Sequence, residues 1–302
     1  MRFYTAEMNG KQELLVAFAA ENSAYRLSLL QRLDNRLNYE DMNDLICSMG
    51  EAERSSLELM GQNRDTLRDA AVNLADIKLC APIVHPRQDV ICLGINYDAH
   101  AQEAGRFSAE AFGGERPYTI YFSKRVSQAT GSGDVIPAYK GLVDSLDYEA
   151  ELGVVLGKDV KNISAEEALQ AVFGYLIIND VSARNLQTRH KQWYRGKSLD
   201  GFTPMGPCLV TADEIEDVQN LDIRCYVNNE LRQSSNTRYM IQTVAGAIAE
   251  LSEGMTLQAG TIIATGTPAG VGMGMDPPQF LKPGDTVRCE IDGIGSLTNT
   301  VR

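Results

Sequence analysis

The sequence predicts an α+β protein, mainly β, with a small α+β module at its amino terminus. Three observations carry that prediction. From residue 90 onward, short segments rich in β-branched and aromatic residues recur between glycines, among them "YTIYFSK", "YEAELGVVLG", "GYLIIND", "LDIRCYVNN" and "GTIIATG". Ahead of them lies a polar stretch with recurring Leu, Ile and Met, the pattern of amphipathic helices. The chain also has 302 residues at 44% hydrophobic content, enough for a substantial core.

Taken in order, residues 1–36 alternate loosely ("RFYTA", "LLVAF", "AYRLSLL") and read as short strands. "YEDMNDLICSMGEAERSSLELMGQNRDTLRDAAVNL" follows and reads as one or two helices, so residues 1–80 form a small α+β domain and 81–302 a second, larger one. Pro82 and Pro86 supply turn chemistry before a buried strand over 90–93. Asn96 is placed to cap the helix that starts with "YDAHAQEAG". Ser164 and Glu167 form a capping box for a short helix reaching Phe173, and "TRYMIQTVAGAIAELSEG" reads as a helix ending at Gly254. "DTVRCEIDG" and "GSLTNTV" close the chain as strands.

Charge and cysteine usage narrow the function classes. Lys plus Arg number 28 against 40 for Asp plus Glu, a net charge of −12 that argues against nucleic acid or an anionic membrane as partner. The first residues show no targeting peptide, and no stretch approaches a membrane span. Cys47, Cys80, Cys92, Cys208, Cys225 and Cys289 are scattered without a CxxC pair, which fits reduced thiols in a cytoplasmic chain.

Chemistry concentrates in "LDYEAELGVVLG", residues 146–157. Side chains of an extended chain alternate, so Glu149 and Glu151 share a face. Two like charges in a low-dielectric site need a compensating cation. Asp180, at the end of "GYLIIND", completes an all-oxygen set suited to Mg²⁺, with Mn²⁺ or Ca²⁺ as substitutes. The other explanation is an exposed edge strand with Asp180 as a helix cap.

His100 and Glu103 stand three apart on one helical face, the construction of a general base or of a plain surface pair. Lys197, in "YRGKSLDGFTPMGP", and Gln187 are placed to donate to an oxyanion, although a lone lysine is more often a solvated charge. The amides of "ATGTPAGVG", with Thr265 or Thr267, suit a carboxylate; the segment is neither GxGxxG nor a Walker A loop. Residues 104–117, with Phe107, Phe112 and Gly113-Gly114, have the composition of a lid. His85 and His190 show no evident partner.

In order, "NYDAHAQE", "YFSK", "LDYEAELGVVLGK", "NDVSARNLQ", "GKSLDGFTPMGP", "VNNELRQ" and "GTIIATGTPAGVG" resemble the fumarylacetoacetate hydrolase family over residues 80–302. The amino-terminal module resembles the variable extra domain of many bacterial members. The resemblance implies a mixed β-roll, usually dimeric, with a divalent metal on Glu149, Glu151 and Asp180. It implies proton transfer or water activation by His100 and Glu103, and oxyanion or substrate contacts from Lys197 and Gln187. It places Lys124 in the active-site wall and Thr267 at a substrate carboxylate.

The reaction so implied is hydrolytic C–C cleavage of a 2,4-dioxo acid of the acylpyruvate or fumarylpyruvate type, through activated water and a metal-stabilised enolate. Oxaloacetate-type decarboxylation or tautomerisation and dienedioate isomerisation are alternatives on the same scaffold. A non-catalytic, metal-stabilised scaffold is the reading from another class. Arg125-Val126 after Lys124, and Arg238, Tyr239 and Gln242, depart from the family pattern. If Arg106, Arg125 or Arg238 reaches the pocket, a dicarboxylic or hydroxylated substrate is favoured; the other possibility is an interface or surface role.

Overall fold

The computed structural model describes residues 1–112 and 118–302. Strand Ala150–Leu156 is the axis of the fold, and all of its residues are buried. Val154 and Val155 favour the extended chain by branching. The strand pairs antiparallel with Val172–Asn179 on one side and Ile262–Ala264 on the other. Beyond Val172–Asn179 lies Met205–Thr211, and beyond Ile262–Ala264 lie Val90–Gly94, which is parallel to it, and Ile120–Lys124.

The amino-terminal residues extend this same sheet. Strand Arg2–Met8 pairs with Met205–Thr211, Arg2 opposite Val210, and passes the sheet on to Lys11–Ala17 and Ser23–Arg26. A second sheet has the order Glu230–Asn236, Asp222–Val227, Thr286–Ile291, Gly295–Val301, Val135–Ile136.

Alternation along the strands sorts the core into two layers. Leu152, Val154, Tyr175 and Ile177 pack with Ile223, Val287 and Leu297 of the second sheet. Val155, Leu176 and Ile178 face the other way, among Leu45, Ile46 and Leu57 of helices Met42–Ser48 and Glu51–Gln62. Fully burying an aliphatic side chain is worth about 1.5–3 kcal/mol, so both faces of the sheet are strongly held. Glu149 and Glu151 share the parity of Val155. They lie where the strand begins, at the point where that face stops packing on apolar side chains and borders a cavity.

Several local expectations are corrected. Ser164 accepts no backbone bond; its hydroxyl donates to Glu167 at 3.4 Å, the helix covers only Ala165–Ala168, and Phe173 belongs to the following strand. The later helix starts at Val244, capped by Thr243 with Gly246 N at 3.0 Å, and the preceding "TRY" is a single 3₁₀ turn. Asn96 is not a cap. Its amide donates to the carbonyls of Gln242 (2.9 Å) and Thr265 (2.8 Å) and accepts from Gln242 N (2.6 Å), stapling three segments. His85 has a partner after all, Nδ1 lying 2.9 Å from Ser127 O.

All six cysteines are free. Among the described residues no helix is long and apolar enough to cross a membrane. The lid expected over 104–117 lies partly outside the described residues; within them, helix Asp98–Phe107 is followed by Ala109–Phe112.

Candidate active site

The antiparallel and parallel pairings bring four strand ends to one place. Strand Ala150–Leu156 begins there with Glu149 and Glu151; Val172–Asn179 ends there and delivers Asp180. Val90–Gly94 ends in the turn that opens helix Asp98–Phe107, carrying His100 and Glu103. Ile262–Ala264 ends in the loop through Thr267 and Gly270.

Carboxylate oxygens of Glu149, Glu151 and Asp180 lie within 4.8 Å of one another, and all three residues are buried. The edge-strand explanation is therefore excluded: these groups converge. Asp180 Oδ1 accepts from Lys124 Nζ at 2.6 Å and Oδ2 from Lys197 Nζ at 2.6 Å. Glu149 Oε2 accepts from Lys197 Nζ at 2.6 Å, and Oε1 pairs with Arg184 Nη2 at 2.6 Å. Glu151 has no such ion pair among the described residues; its Oε2 accepts from Gly266 N at 2.9 Å.

The electrostatics follow from that partition. Burial alone would push the Glu149 carboxyl up, but Lys197 and Arg184 hold it well below the usual range. Burial, then the charges of Asp180 and Glu149, push Glu151 well above it. Lys197 resists burial because Asp180 and Glu149 face it, and its ammonium is held above the ordinary lysine range. Burial pulls Lys124 down despite Asp180.

The donor set fits a hard divalent ion. Three carboxylates converge, and among the described residues one of them, Glu151, has no ion-pair partner. Glu149, Glu151 and Asp180 would hold the ion.

His100, Glu149, Glu151, Arg184, Gln187, Lys197 and Thr267 line one cavity, walled by Phe112, Phe122 and Trp193. Trp193 packs edge-on against Phe122 at 5.2 Å, and Lys197 Nζ lies 5.4 Å from the Phe122 ring. His100 is buried, with Nδ1 at 3.7 Å from Glu103 Oε2, while Glu103 accepts with both oxygens from Gly270 N at 3.0 Å. Gln187 Oε1 accepts from Arg184 at 3.0 Å, which leaves its NH₂ as the group able to donate. The Thr267 hydroxyl donates to Ala150 O at 2.9 Å and accepts from Gln233 at 2.7 Å, so its proton is already committed. Lys124 is fully buried against Asp180 and Val181 O and does not line the cavity.

Arg106, Arg125 and Arg238 do not line it either. Arg106 bonds Gln102 O of its own helix, Arg125 faces Asp89 at 3.6 Å, and Arg238 bonds Asn236 and Asn220. Among the described residues, the arginine that does reach the cavity is Arg184, which the sequence reading passed over.

Comparison with known proteins places this arrangement. The model of the fumarylacetoacetate (FAA) hydrolase C-terminal domain matches residues 89–302. The chain belongs to the fumarylacetoacetate hydrolase family. It is 46% identical over 248 residues to a protein named oxaloacetate tautomerase YisK of Bacillus subtilis (strain 168), covering 82% of this chain and 81% of that one. The solved fumarylacetoacetate hydrolase (EaFAH) from psychrophilic Exiguobacterium antarcticum superimposes with a TM-score of 0.79 at 36% identity, covering 100% of this chain and 99% of that one. A 2-hydroxyhepta-2,4-diene-1,7-dioate isomerase from Mycobacterium marinum superimposes with a TM-score of 0.70 at 28% identity, covering 100% and 98%. Family membership makes this chain a family enzyme with the mainly β, mixed α+β fold expected. Their names span three reaction types on one fold, so the fold alone does not select the reaction.

Proposed function

We propose that this enzyme interconverts the enol and keto forms of an oxaloacetate-type 2-oxo acid, with a divalent ion on Glu149, Glu151 and Asp180. The observation that carries the proposal is the buried convergence of those carboxylates, two of which, Glu149 and Glu151, line one cavity with His100. The 46% identity to a relative named as an oxaloacetate tautomerase supports the choice of substrate.

A bound Mg²⁺ or Mn²⁺ would supply Lewis-acid stabilisation of the negative charge that enolisation places on the substrate's oxygens. The protein's own groups do the rest. Tautomerisation removes a proton from the carbon beside the keto group and ends with one on oxygen. His100 is the one histidine bordering the cavity and is assigned to take that proton from carbon and return it to oxygen. Glu103, fixed by Gly270 N, needs to close from 3.7 Å to about 3 Å to bond Nδ1, which leaves Nε2 as the exchanging nitrogen. Lys197 and Arg184 put positive charge next to the developing oxyanion. Phe112, Phe122 and Trp193 restrict water around these charges.

Hydrolytic C–C cleavage of acylpyruvates or fumarylpyruvate is the second reading. The His100–Glu103 pair favours it, being equally suited to taking a proton from water. We propose that the enzyme acts as a homodimer, in keeping with exposed Tyr239 and Ile241.

The test follows the enol absorbance of oxaloacetate, and the products from acylpyruvates and fumarylpyruvate, with Mg²⁺, Mn²⁺ or a chelator. Accelerated, metal-dependent loss of enol at unchanged mass supports tautomerisation. Pyruvate plus a second acid supports hydrolysis, and CO₂ supports decarboxylation. No metal-dependent change on any 2-oxo acid contradicts the proposal.

A further inference from the structure

Asp147 carries no role in the mechanism above, yet it is wholly buried and its carboxylate makes four bonds. Oδ1 accepts from Tyr148 N (2.9 Å) and Gly272 N (2.7 Å), and Oδ2 from Met273 N (3.0 Å) and Arg184 Nε (2.9 Å). A buried carboxylate is tolerated only when its oxygens are satisfied in this way.

Two paths lead away from it. Through Arg184 the first reaches Glu149 Oε1, 2.6 Å from Nη2. Through Gly272 and Met273 the second reaches the loop whose Gly270 N holds both oxygens of Glu103. The loop fits without slack: a Cβ on Gly272 would lie 2.7 Å from Asp147 Oδ1, and one on Gly274 would lie 2.8 Å from Glu103 Oε2.

We infer that Asp147 is a positioning residue that fixes the metal-ligand side of the site, through Arg184 and Glu149, to the proton-transfer side, through the 270–274 loop and Glu103. It does not line the cavity and acts only through those groups. The inference rests on the proposed function, its kinetic arm on the reaction and its binding arm on the metal site alone.

Asparagine has the same shape, but its NH₂ cannot accept from Met273 N and opposes the Arg184 Nε–H. Asp147→Asn is therefore expected to weaken binding of Mn²⁺ alone, measured calorimetrically, by no more than about 10-fold, the low end of the cost of losing a direct outer partner of a metal ligand, because Asp147 acts on Glu149 through Arg184. At saturating Mn²⁺ and oxaloacetate it is expected to lower kcat in the parent chain. In a Glu103→Gln background it should change kcat by less than about twofold, because a shared path does not add. Equal losses of kcat in both backgrounds, or unchanged Mn²⁺ affinity, overturn the inference.

If Asp147→Asn fails to fold, amide exchange in the parent chain decides. Adding Mg²⁺ should slow exchange at Gly270, Gly272 and Met273 together, and unchanged exchange there overturns the inference. A parent chain that binds Mn²⁺ but turns over no oxaloacetate refutes the reaction and leaves the binding and exchange arms to judge Asp147.

Discussion

At Glu151 the balance of charge is most uneven. Glu149 and Asp180 each face a buried cation, whereas Glu151 meets the Gly266 amide and the repulsion of the other two acids. Replacing it by Gln removes that repulsion at nearly constant shape. Glu151→Gln is therefore expected to raise the melting temperature of the chelated protein at neutral pH. The sign follows because a carboxyl raised in the folded state destabilises that state once pH exceeds its unfolded value. The same change should abolish the rise in melting temperature that Mn²⁺ gives the parent. A variant that melts lower in chelator and still responds to Mn²⁺ like the parent contradicts this reading. Alternation made the shared face of Glu149 and Glu151 legible and the strand end pointed to Asp180, whereas spacing left His100 and Glu103 as either a general base or a surface pair until the family resemblance joined them to the acids. Arg184 was not, since a lone arginine in "SARNLQ" gives no signal until the Asp147 and Glu149 carboxylates fold around it. Asp147 shares the parity of Glu149 and Glu151, and that three-acid alternation was the available clue.

Among the elements, the 265–274 loop sets the precision of the site. Gly270 sits at φ +103°, its N–H aimed at Glu103, and a Cβ there would run into the backbone carbonyl of Arg232. Gly270→Ala is expected to cost at least about 1 kcal/mol from the backbone alone. By displacing Glu103 it should also lower kcat more than it changes Mn²⁺ affinity. Equal activity at lower melting temperature would mean that the loop does not govern Glu103. The sequence placed the strands well, because branched residues between glycines are a local signal. Ser164 does stand at the start of its helix, bonded to Glu167 instead of a backbone amide, whereas Asn96 was misjudged as a cap because tertiary neighbours claim its side chain: it serves Gln242 and Thr265 instead of its own helix.

Across the whole molecule, one sheet joins the amino-terminal strands to those that carry the site. Phe3, Val16 and Leu45 share a buried layer with Val155, Leu176 and Leu209. Arg2 is anchored at the far end of the chain, donating to Ile294 O at 2.9 Å and Gly293 O at 2.6 Å. Calorimetry is therefore expected to show one cooperative transition, and two separable transitions would contradict a shared core. That continuity was hidden from the sequence, since strand partners far apart in the chain leave no periodic trace. In the proposed reaction the three strand-end carboxylates grip one divalent ion. Anomalous diffraction from a Mn²⁺-soaked crystal tests it most directly. A single strong peak is expected within bonding distance of oxygens of Glu149, Glu151 and Asp180 together. A crystal that takes up Mn²⁺ elsewhere, or leaves those oxygens without a peak, would contradict it.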